Sequence, residues 1–280
     1  RESTISICHA WLAEEDIGFQ FGREPSTGEM LMRGMGALHV DVIVEKLQRK
    51  FEASVSLREP KVPYRETVRK SVRVQGRHKK QTGGRGQFGD VWIQLEPTGR
   101  DEGFEFVNAI KGGSVPTNYI PAVEKGVISQ LQKGILTHSQ VVDVRVTLDD
   151  GSSHAVDSSD QAFQMAGQIA IRNALAQADC LLLEPVMNVE VRCPEDLMGD
   201  IMSDFSGRRG RIQGSDSIAG GIAVVRATVP LSEMARYAAD LRSITQGRAS
   251  YTMEPAGYEE VPAHLVEGIV AAHQAEEEEE

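Results

Sequence analysis

The sequence is poor in cysteine and aromatic residues and has no long apolar run. Its three cysteines (Cys8, Cys180 and Cys193) are too few and too scattered for a disulfide framework, and they lack zinc-ligand spacing. We therefore expect free thiols in a reducing cytoplasm. No apolar stretch approaches the roughly 18 residues that a membrane-spanning helix needs, and the first residues lack the basic-then-apolar pattern of a signal peptide. These absences predict a soluble, cytoplasmic protein with no membrane partner.

Motifs for nucleoside triphosphates, metals and hydrolytic nucleophiles are also lacking. No G-x-x-x-x-G-K-[ST] loop occurs, and the glycine-rich run GGRGQFG (83–89) joins two predicted strands instead of opening a helix. The seven histidines show no paired ligand spacing on one helix face. No G-x-S-x-G elbow is present. We therefore expect no catalytic residue, no metal site and no cofactor in this chain.

The run DDGSSHAVDSSDQAF (149–163) contains Ser153, His154 and Asp157, which a hydrolase could use as a triad. Ser153 and His154 are neighbours, however, and neighbouring side chains of an extended segment point to opposite faces. Asp157, Ser158 and Ser159 also fit the start of a helix, because Ser158 and Gln161 have capping-box spacing. A hydrolase is therefore the least favoured of the functions considered.

The net charge of −11 argues against a general nucleic-acid binder, but the charge is unevenly distributed. Between positions 58 and 85 only Glu59 and Glu66 oppose a set of ten cations. These cations are Arg58, Lys61, Arg65, Arg69, Lys70, Arg73, Arg77, Lys79, Lys80 and Arg85. Such a stretch fits contact with phosphate at one end of the molecule. A solvated basic hairpin without a ligand is the alternative.

Hydrophobic periodicity predicts an α+β chain: two ferredoxin-like split-βαβ domains that flank a different α+β domain. We expect domain bounds at 1–57, 58–182 and 183–260, followed by a C-terminal helix and acidic tail at 261–280. The first segment reads as helix, two strands, helix and strand, with the first strand of its fold missing. A sheet that lacks a strand has an open edge, so the chain is expected to be a piece of something longer.

Two helices illustrate these expectations. The first lies in ALHVDVIVEKLQRKF (37–51), where five apolar residues are expected on one buried face: Leu38, Val42, Ile43, Leu47 and Phe51. The second is a short closing helix near 263–273. The run Glu276–Glu280 behind it is expected to be disordered.

Several collinear segments closely resemble the C-terminal half of bacterial elongation factor G. They include RGMGALHVDVIVEKLQRKF, KKQTGGRGQFGDVWI, KGGSVPTNYIPAVEKGV, VVDVRVTLDDGSSHAVDSSDQAF and LLEPVMNVEVRCPEDLMGDIMSDFSGRRGRI. The resemblance extends from about Trp11 to Val261 and implies the third, fourth and fifth domains of that family. It implies that the fourth is an elongated α+β arm domain with a ribosomal-protein-like fold. The family's GTP-binding and β-barrel domains have no counterpart in this sequence, so GTP and Mg²⁺ are expected there and not here.

The resemblance implies an RNA-contacting arm whose end enters the decoding region of the ribosome, near tRNA and mRNA. The implied contacts at this arm tip are Gly83, Gly84, Arg85, Gly86, Gln87, Phe88, Ser153, His154 and Asp157. Those implied in the fifth domain, facing ribosomal RNA, are Arg208, Arg209, Arg242, Gln246 and Arg248. The expected partners are the ribosome and the GTPase and barrel domains of the same protein, and we expect a monomer.

The resemblance implies translocation of tRNA and mRNA by a ribosome-stimulated GTPase. The segment GILTHSQVVD (134–143) departs from the family pattern, and a ribosome-recycling or regulatory paralogue therefore remains an alternative. A protein-binding scaffold without an RNA role is a second alternative.

Overall fold

The computed structural model describes residues 15–81 and 86–279 of the 280-residue chain. Packing divides the chain into two compact units, called here the first and the second unit. The first unit holds the residues up to Pro63 together with Pro185–Gly257, and the second holds Tyr64–Glu184 together with Tyr258–Glu280. The mixed α+β class is confirmed, whereas the domain bounds given above stay predictions.

The first complete elements described in the first unit are a hairpin and a helix. The hairpin pairs β1 (Gln20–Arg23) with β2 (Met30–Arg33) in antiparallel register. α1 (Ala37–Phe51) follows and packs the fully buried Ile43 and Leu47 against Phe19.

Two expectations for this part are wrong. Leu38 is 76% exposed and Val42 40% exposed, because they lie roughly 100–180° around the helix from Ile43 and Leu47 at about 3.6 residues per turn. The strand expected before Leu57 does not form. Residues 52–64 pair with no described strand, and Val55 reaches the small core from an irregular segment. The expected helix before β1 lies largely outside the described residues.

The second unit is built on a four-stranded sheet. The strands and helices of this unit up to residue 175 are β3 (Arg65–Val68), β4 (Val72–Lys80), β5 (Gln87–Pro97), β6 (Phe104–Asn108), α2 (Ile120–Leu131), β7 (Val144–Ser152) and α3 (Asp160–Leu175). The sheet order is β4-β5-β7-β6, with β6 parallel to β7 and the other neighbours antiparallel. Val144, Val146 and Leu148 alternate along β7 and are fully buried, as period-2 patterning predicts.

Glycines let the helices approach the sheet and each other. A Cβ on Gly76 in β4 or on Gly89 in β5 would lie under 3.0 Å from a backbone oxygen of α3. A Cβ on Gly126 in α2 would meet the Gln164 carbonyl oxygen of α3 equally closely, and one on Gly167 the Val123 carbonyl oxygen. The two helices and the first hairpin of the sheet are therefore fixed at backbone-to-backbone distance.

A second sheet organises the rest of the first unit. The elements of this part of the chain are β8 (Cys180–Pro194), α4 (Met198–Gly207), β9 (Arg211–Ile218), β10 (Ile222–Pro230), α5 (Tyr237–Thr245) and β11 (Ser250–Glu260). The strand order is β11-β8-β10-β9. Val191 lies opposite Val225 in antiparallel register, and both contact a core that includes Phe205, Tyr237 and Leu241.

In the second unit, β3 pairs with the first residues of β8, with Arg65 opposite Leu183. The last helix, α6 (Ala263–Glu279), is longer than expected. It continues into the glutamate run that was expected to be disordered, because alanine and glutamate favour helix and no proline interrupts them. No helix in the described part of the chain is long and apolar enough to cross a membrane.

Candidate nucleic-acid interface

The cations of β4 change partners along the strand. At its start, Arg73 donates two hydrogen bonds to Asp149, at 2.6 and 3.1 Å, and lies 4.6 Å over the Trp92 ring. The hydrogen bonds to Asp149 raise the pKa of Arg73 above its ordinary value. At the other end, Lys79 and Lys80 form no ion pair with any described residue. Within the described residues, positive charge is therefore neutralised at the start of β4 and left unneutralised at Lys79 and Lys80.

Arg77 belongs to the unneutralised end of the strand. Its guanidinium lies 5.6 Å over the ring of Phe88 on β5, and no carboxylate within the described ranges pairs with it. A cation over an aromatic ring keeps its charge available to a phosphate.

Ser158 joins the loop before α3 to the β4–β5 hairpin. Its hydroxyl donates to the Phe88 carbonyl oxygen at 3.0 Å and accepts from the His154 backbone N–H at 2.9 Å. The residue is 6% exposed. The expected capping role belongs instead to Ser159, which accepts from Ala162 N–H at 3.2 Å where the helix begins. The capping-box assignment of Ser158 is therefore wrong, and its hydroxyl instead links the loop to the β4–β5 hairpin.

Asp157 makes a second link between the same segments. Its Oδ1 accepts from the Gly86 backbone N–H at 3.2 Å, and its carbonyl oxygen accepts from Phe88 N–H at 2.9 Å. A Cβ on Gly86 would lie 2.8 Å from the Asp157 carboxyl carbon. Glycine is therefore needed for this approach.

His154 lies half exposed at the edge of these links. Its Nδ1 accepts from the backbone N–H groups of Val156 and Asp157, at 3.4 and 3.2 Å, and its ring centroid is 6.3 Å from that of Phe88. We call the set Lys79, Lys80, Gly86, Phe88, His154 and Asp157 the tip cluster. These residues, with Gln81 and Gln87, line one pocket of about 260 Å³.

This geometry gives no support to a Ser153–His154–Asp157 triad. Ser153 is exposed and forms no hydrogen bond with His154, and the histidine Nδ1 is engaged by its own loop. A nucleophile and its base need direct hydrogen-bond reach.

The structure brings six of the nine expected tip residues together: Gly86, Gln87, Phe88, Ser153, His154 and Asp157 belong to the two linked segments. Gly83, Gly84 and Arg85 lie outside the described residues. The role of Ser158 was missed, although the adjacent pair Ser158–Ser159 offered a signal, since only one serine can occupy the cap.

The expected RNA-contacting residues of the first unit divide into two groups. Arg208 and Arg209 are engaged within the protein: Arg208 donates to Asp204 at 2.9 Å and to Asp240 at 2.7 Å, and Arg209 donates to Glu233 at 2.9 Å. Burial lowers the pKa of Arg208, but its hydrogen bonds to the two aspartates outweigh burial and raise that pKa overall. The other group, Arg242, Gln246 and Arg248, is exposed at the end of α5 and just beyond it. Arg248 in this group also donates to the Thr245 carbonyl oxygen at 3.3 Å and lies 3.8 Å from Asp196.

We predict that Arg208→Met lowers the free energy of unfolding of the first unit by about 2 kcal/mol, since it removes charge-assisted hydrogen bonds worth roughly 1.5–3 kcal/mol. Urea unfolding followed by far-ultraviolet circular dichroism measures the change. Arg236→Met is the control, because the Arg236 side chain is exposed and has no hydrogen bond or ion pair within the described chain. Equal stability of the two variants would refute a structural role for Arg208.

The two described cysteines lie outside the tip cluster. Cys180 begins β8, and burial raises its pKa to about 12, so this thiol stays protonated near neutral pH. Cys180 and Cys193 are both free. Within residues 15–81 and 86–279, no group of three histidine, cysteine or acidic side chains could hold a metal ion.

Comparisons with known proteins agree over nearly the whole chain. Residues 2–59 match the family model for elongation factor G domain III, residues 60–179 that for domain IV, and residues 181–269 that for the C-terminus. A crystal structure of a protein from Thermus thermophilus is 40% identical and superposes with a TM-score of 0.87. The match covers 98% of this chain but only 41% of that one.

Proposed function

The chain belongs to the elongation factor G family of translation factors, and from this premise we propose that it forms the ribosome-contacting part of a factor that moves tRNA and mRNA. The tip cluster enters the decoding region of a ribosome in the cytoplasm. GTP and Mg²⁺ bind in domains that precede this region in the family, and the whole protein is a ribosome-stimulated GTPase.

The observation that carries the proposal is the half-exposed His154 beside unneutralised cations. Its side chain is 56% exposed and lines the same pocket as Lys79 and Lys80. Lysine ammonium groups attract phosphate and release counterions from RNA. Glycines, serines and a small ring allow close approach to the shallow minor groove and the 2′-hydroxyls of an RNA duplex.

A chimera tests the proposal. The chain is fused to the GTPase and barrel domains of an elongation factor G, and peptidyl-tRNA movement is followed by puromycin reactivity. We expect movement close to that of the intact factor. We expect His154→Ala to slow it about tenfold, the equivalent of one exposed RNA hydrogen bond of roughly 1–1.5 kcal/mol.

His264→Ala is the control for this experiment, because His264 is an exposed histidine on α6 outside the tip cluster. It should leave the rate unchanged. No movement despite normal ribosome-stimulated GTP turnover would refute translocation and favour a recycling or regulatory paralogue.

A further inference from the structure

We propose that His154 acts as a hydrogen-bond donor through Nε2–H to an acceptor oxygen of an RNA strand, and that Ser158 is the residue that positions it. The inference rests on the proposed function and specifies the chemistry of the same site. It predicts which ring atom of His154 donates to the ligand. It also predicts which residue fixes the backbone that carries the ring.

The tautomer follows from the two hydrogen bonds at Nδ1. Backbone N–H groups of Val156 and Asp157 both point to this nitrogen, at 3.4 and 3.2 Å. A backbone amide can only donate, so Nδ1 must accept and carries no hydrogen. In a neutral imidazole the proton then resides on Nε2, which becomes a donor.

Asp157 presents the competing arrangement. Its Oδ2 lies 3.3 Å from the same Nδ1, and an imidazolium would donate a proton to it. That proton would meet the two amide hydrogens head-on, because both backbone N–H groups already point to the same nitrogen. We therefore assign the neutral ring with Nδ1 as acceptor.

Ser158 holds in one conformation the loop that carries the His154 ring. Its hydroxyl connects His154 N–H to the Phe88 carbonyl oxygen, and Ser158 N–H donates to the His154 carbonyl oxygen at 3.1 Å. Both backbone polar groups of His154 are thus held by one residue, which is anchored to the neighbouring hairpin. Such pre-organisation reduces the entropy lost when a side chain is immobilised by a ligand.

A donor suits an RNA strand because its surface is rich in acceptors. Phosphate oxygens, 2′-hydroxyls and base carbonyls all accept hydrogen bonds. A neutral donor also differs from the nearby lysines, which attract any phosphate through charge alone. His154 therefore adds one hydrogen bond of defined direction to the non-directional attraction of the lysines.

Nitrogen NMR of the full chain, labelled with ¹⁵N-histidine, tests the tautomer directly. The His154 signals are identified by their loss in His154→Gln. We expect Nε2 to resonate as a protonated nitrogen and Nδ1 as a bare one at neutral pH. The opposite pattern, or two alike signals from an imidazolium, would overturn the proposal.

Three serine variants separate positioning from general stability. Ser158→Ala should give a mixture of tautomers, whereas Ser158→Thr, which keeps the hydroxyl, should retain the wild-type signals. Ser152→Ala is the matched control: Ser152 lies in the same unit and donates to Asp90 at 2.9 Å instead of to the loop. If Ser158→Ala leaves the His154 signals unchanged, Ser158 does not position the ring.

Amide substitutions test the donor in the translocating chimera. Glutamine places an N–H near the position of Nε2, and asparagine places one near Nδ1. We expect His154→Gln to stay within about threefold of wild type and His154→Asn to be about tenfold slower, on the scale of one hydrogen bond. Equal rates for the two would overturn the donor assignment. Failure of the unmutated chimera to translocate would sink the proposed function, while the NMR result would still decide the tautomer.

Discussion

Replacing Glu66 by alanine should lower the free energy of unfolding of the second unit by about 3–5 kcal/mol, the range seen when a buried charge network loses one partner. Glu66 is fully buried. Its carboxylate accepts from four backbone N–H groups, at 2.8–3.4 Å, in the segment that follows α2. The donors are Ile135, Leu136, Thr137 and Ser139.

The expected effect is large because one side chain supplies the acceptors for a whole turn. Residues 135–139 belong to neither a helix nor a strand. Without Glu66 the four N–H groups would lose their partners in a segment that is buried at Thr137 and half-buried at the other three donors. Gly134 has φ +50, and a Cβ there would lie under 3.0 Å from the same carboxylate. The glycine at position 134 and its backbone conformation therefore both suit the close approach of the Glu66 carboxylate.

Urea unfolding, reported by Trp92 fluorescence in a Trp11→Phe background, measures the loss. Glu105→Ala is the matched control, since Glu105 is a half-exposed glutamate of the same unit, paired with Arg145, and an exposed ion pair contributes little. Glu66→Gln should fall between the two, because it keeps one acceptor oxygen. A stability of Glu66→Ala equal to that of Glu105→Ala would contradict the prediction.

Gly126→Ala should destabilise the second unit by about 3 kcal/mol, the upper part of the range for overpacking a well-packed core. A Cβ at this position would meet the carbonyl oxygen and carbon of Gln164 on α3. These are backbone atoms of a helix, which cannot rotate away as a flexible side chain can. The helices would have to separate, and the buried contacts of Val123 and Val127 would loosen with them.

Gly268→Ala is the matched control, because it is also a helical glycine of the second unit, but a Cβ there would meet nothing within 4 Å. Alanine has the higher helix propensity, so this variant should gain up to about 1 kcal/mol. Both variants are measured by the same urea titration. Destabilisation of Gly268→Ala, or neutrality of Gly126→Ala, would show that helix spacing does not decide the outcome.

Periodicity predicted the elements that are buried on one side. The alternation of β7 and the apolar spacing of Ile43 and Leu47 in α1 identified core faces correctly. Leu38 and Val42 were misplaced, because a short helix with apolar residues on more than half its circumference does not reveal which part is covered. The missing strand before residue 57 has a similar cause: strand pairing depends on a partner that local sequence cannot supply.

The candidate site was only partly predictable. The resemblance identified His154 and the glycine-rich hairpin, but not the role of Ser158. The role of Glu66, which lies outside the site, was missed as well. Their hydrogen bonds cross 70 residues or more in sequence, to Phe88 and to Leu136. Sequence-pattern rules relate residues that are only a few positions apart. These contacts join distant residues and exist only once the sheet has formed. The contact of Arg208 with Asp240, 32 residues away, was hidden for the same reason. Asp204 lies only four residues before Arg208, so that pair was visible in the sequence.

The arrangement of charge along β4 also bears on how the protein approaches a polyanion. Arg73 is neutralised by Asp149, whereas Lys79 and Lys80 are not neutralised by any described residue, and the chain as a whole carries a net charge of −11. Charge is therefore distributed asymmetrically along this strand. The field around it draws a phosphate backbone toward the end that carries Lys79 and Lys80 before any contact is made. Salt slows such an approach because it screens that field.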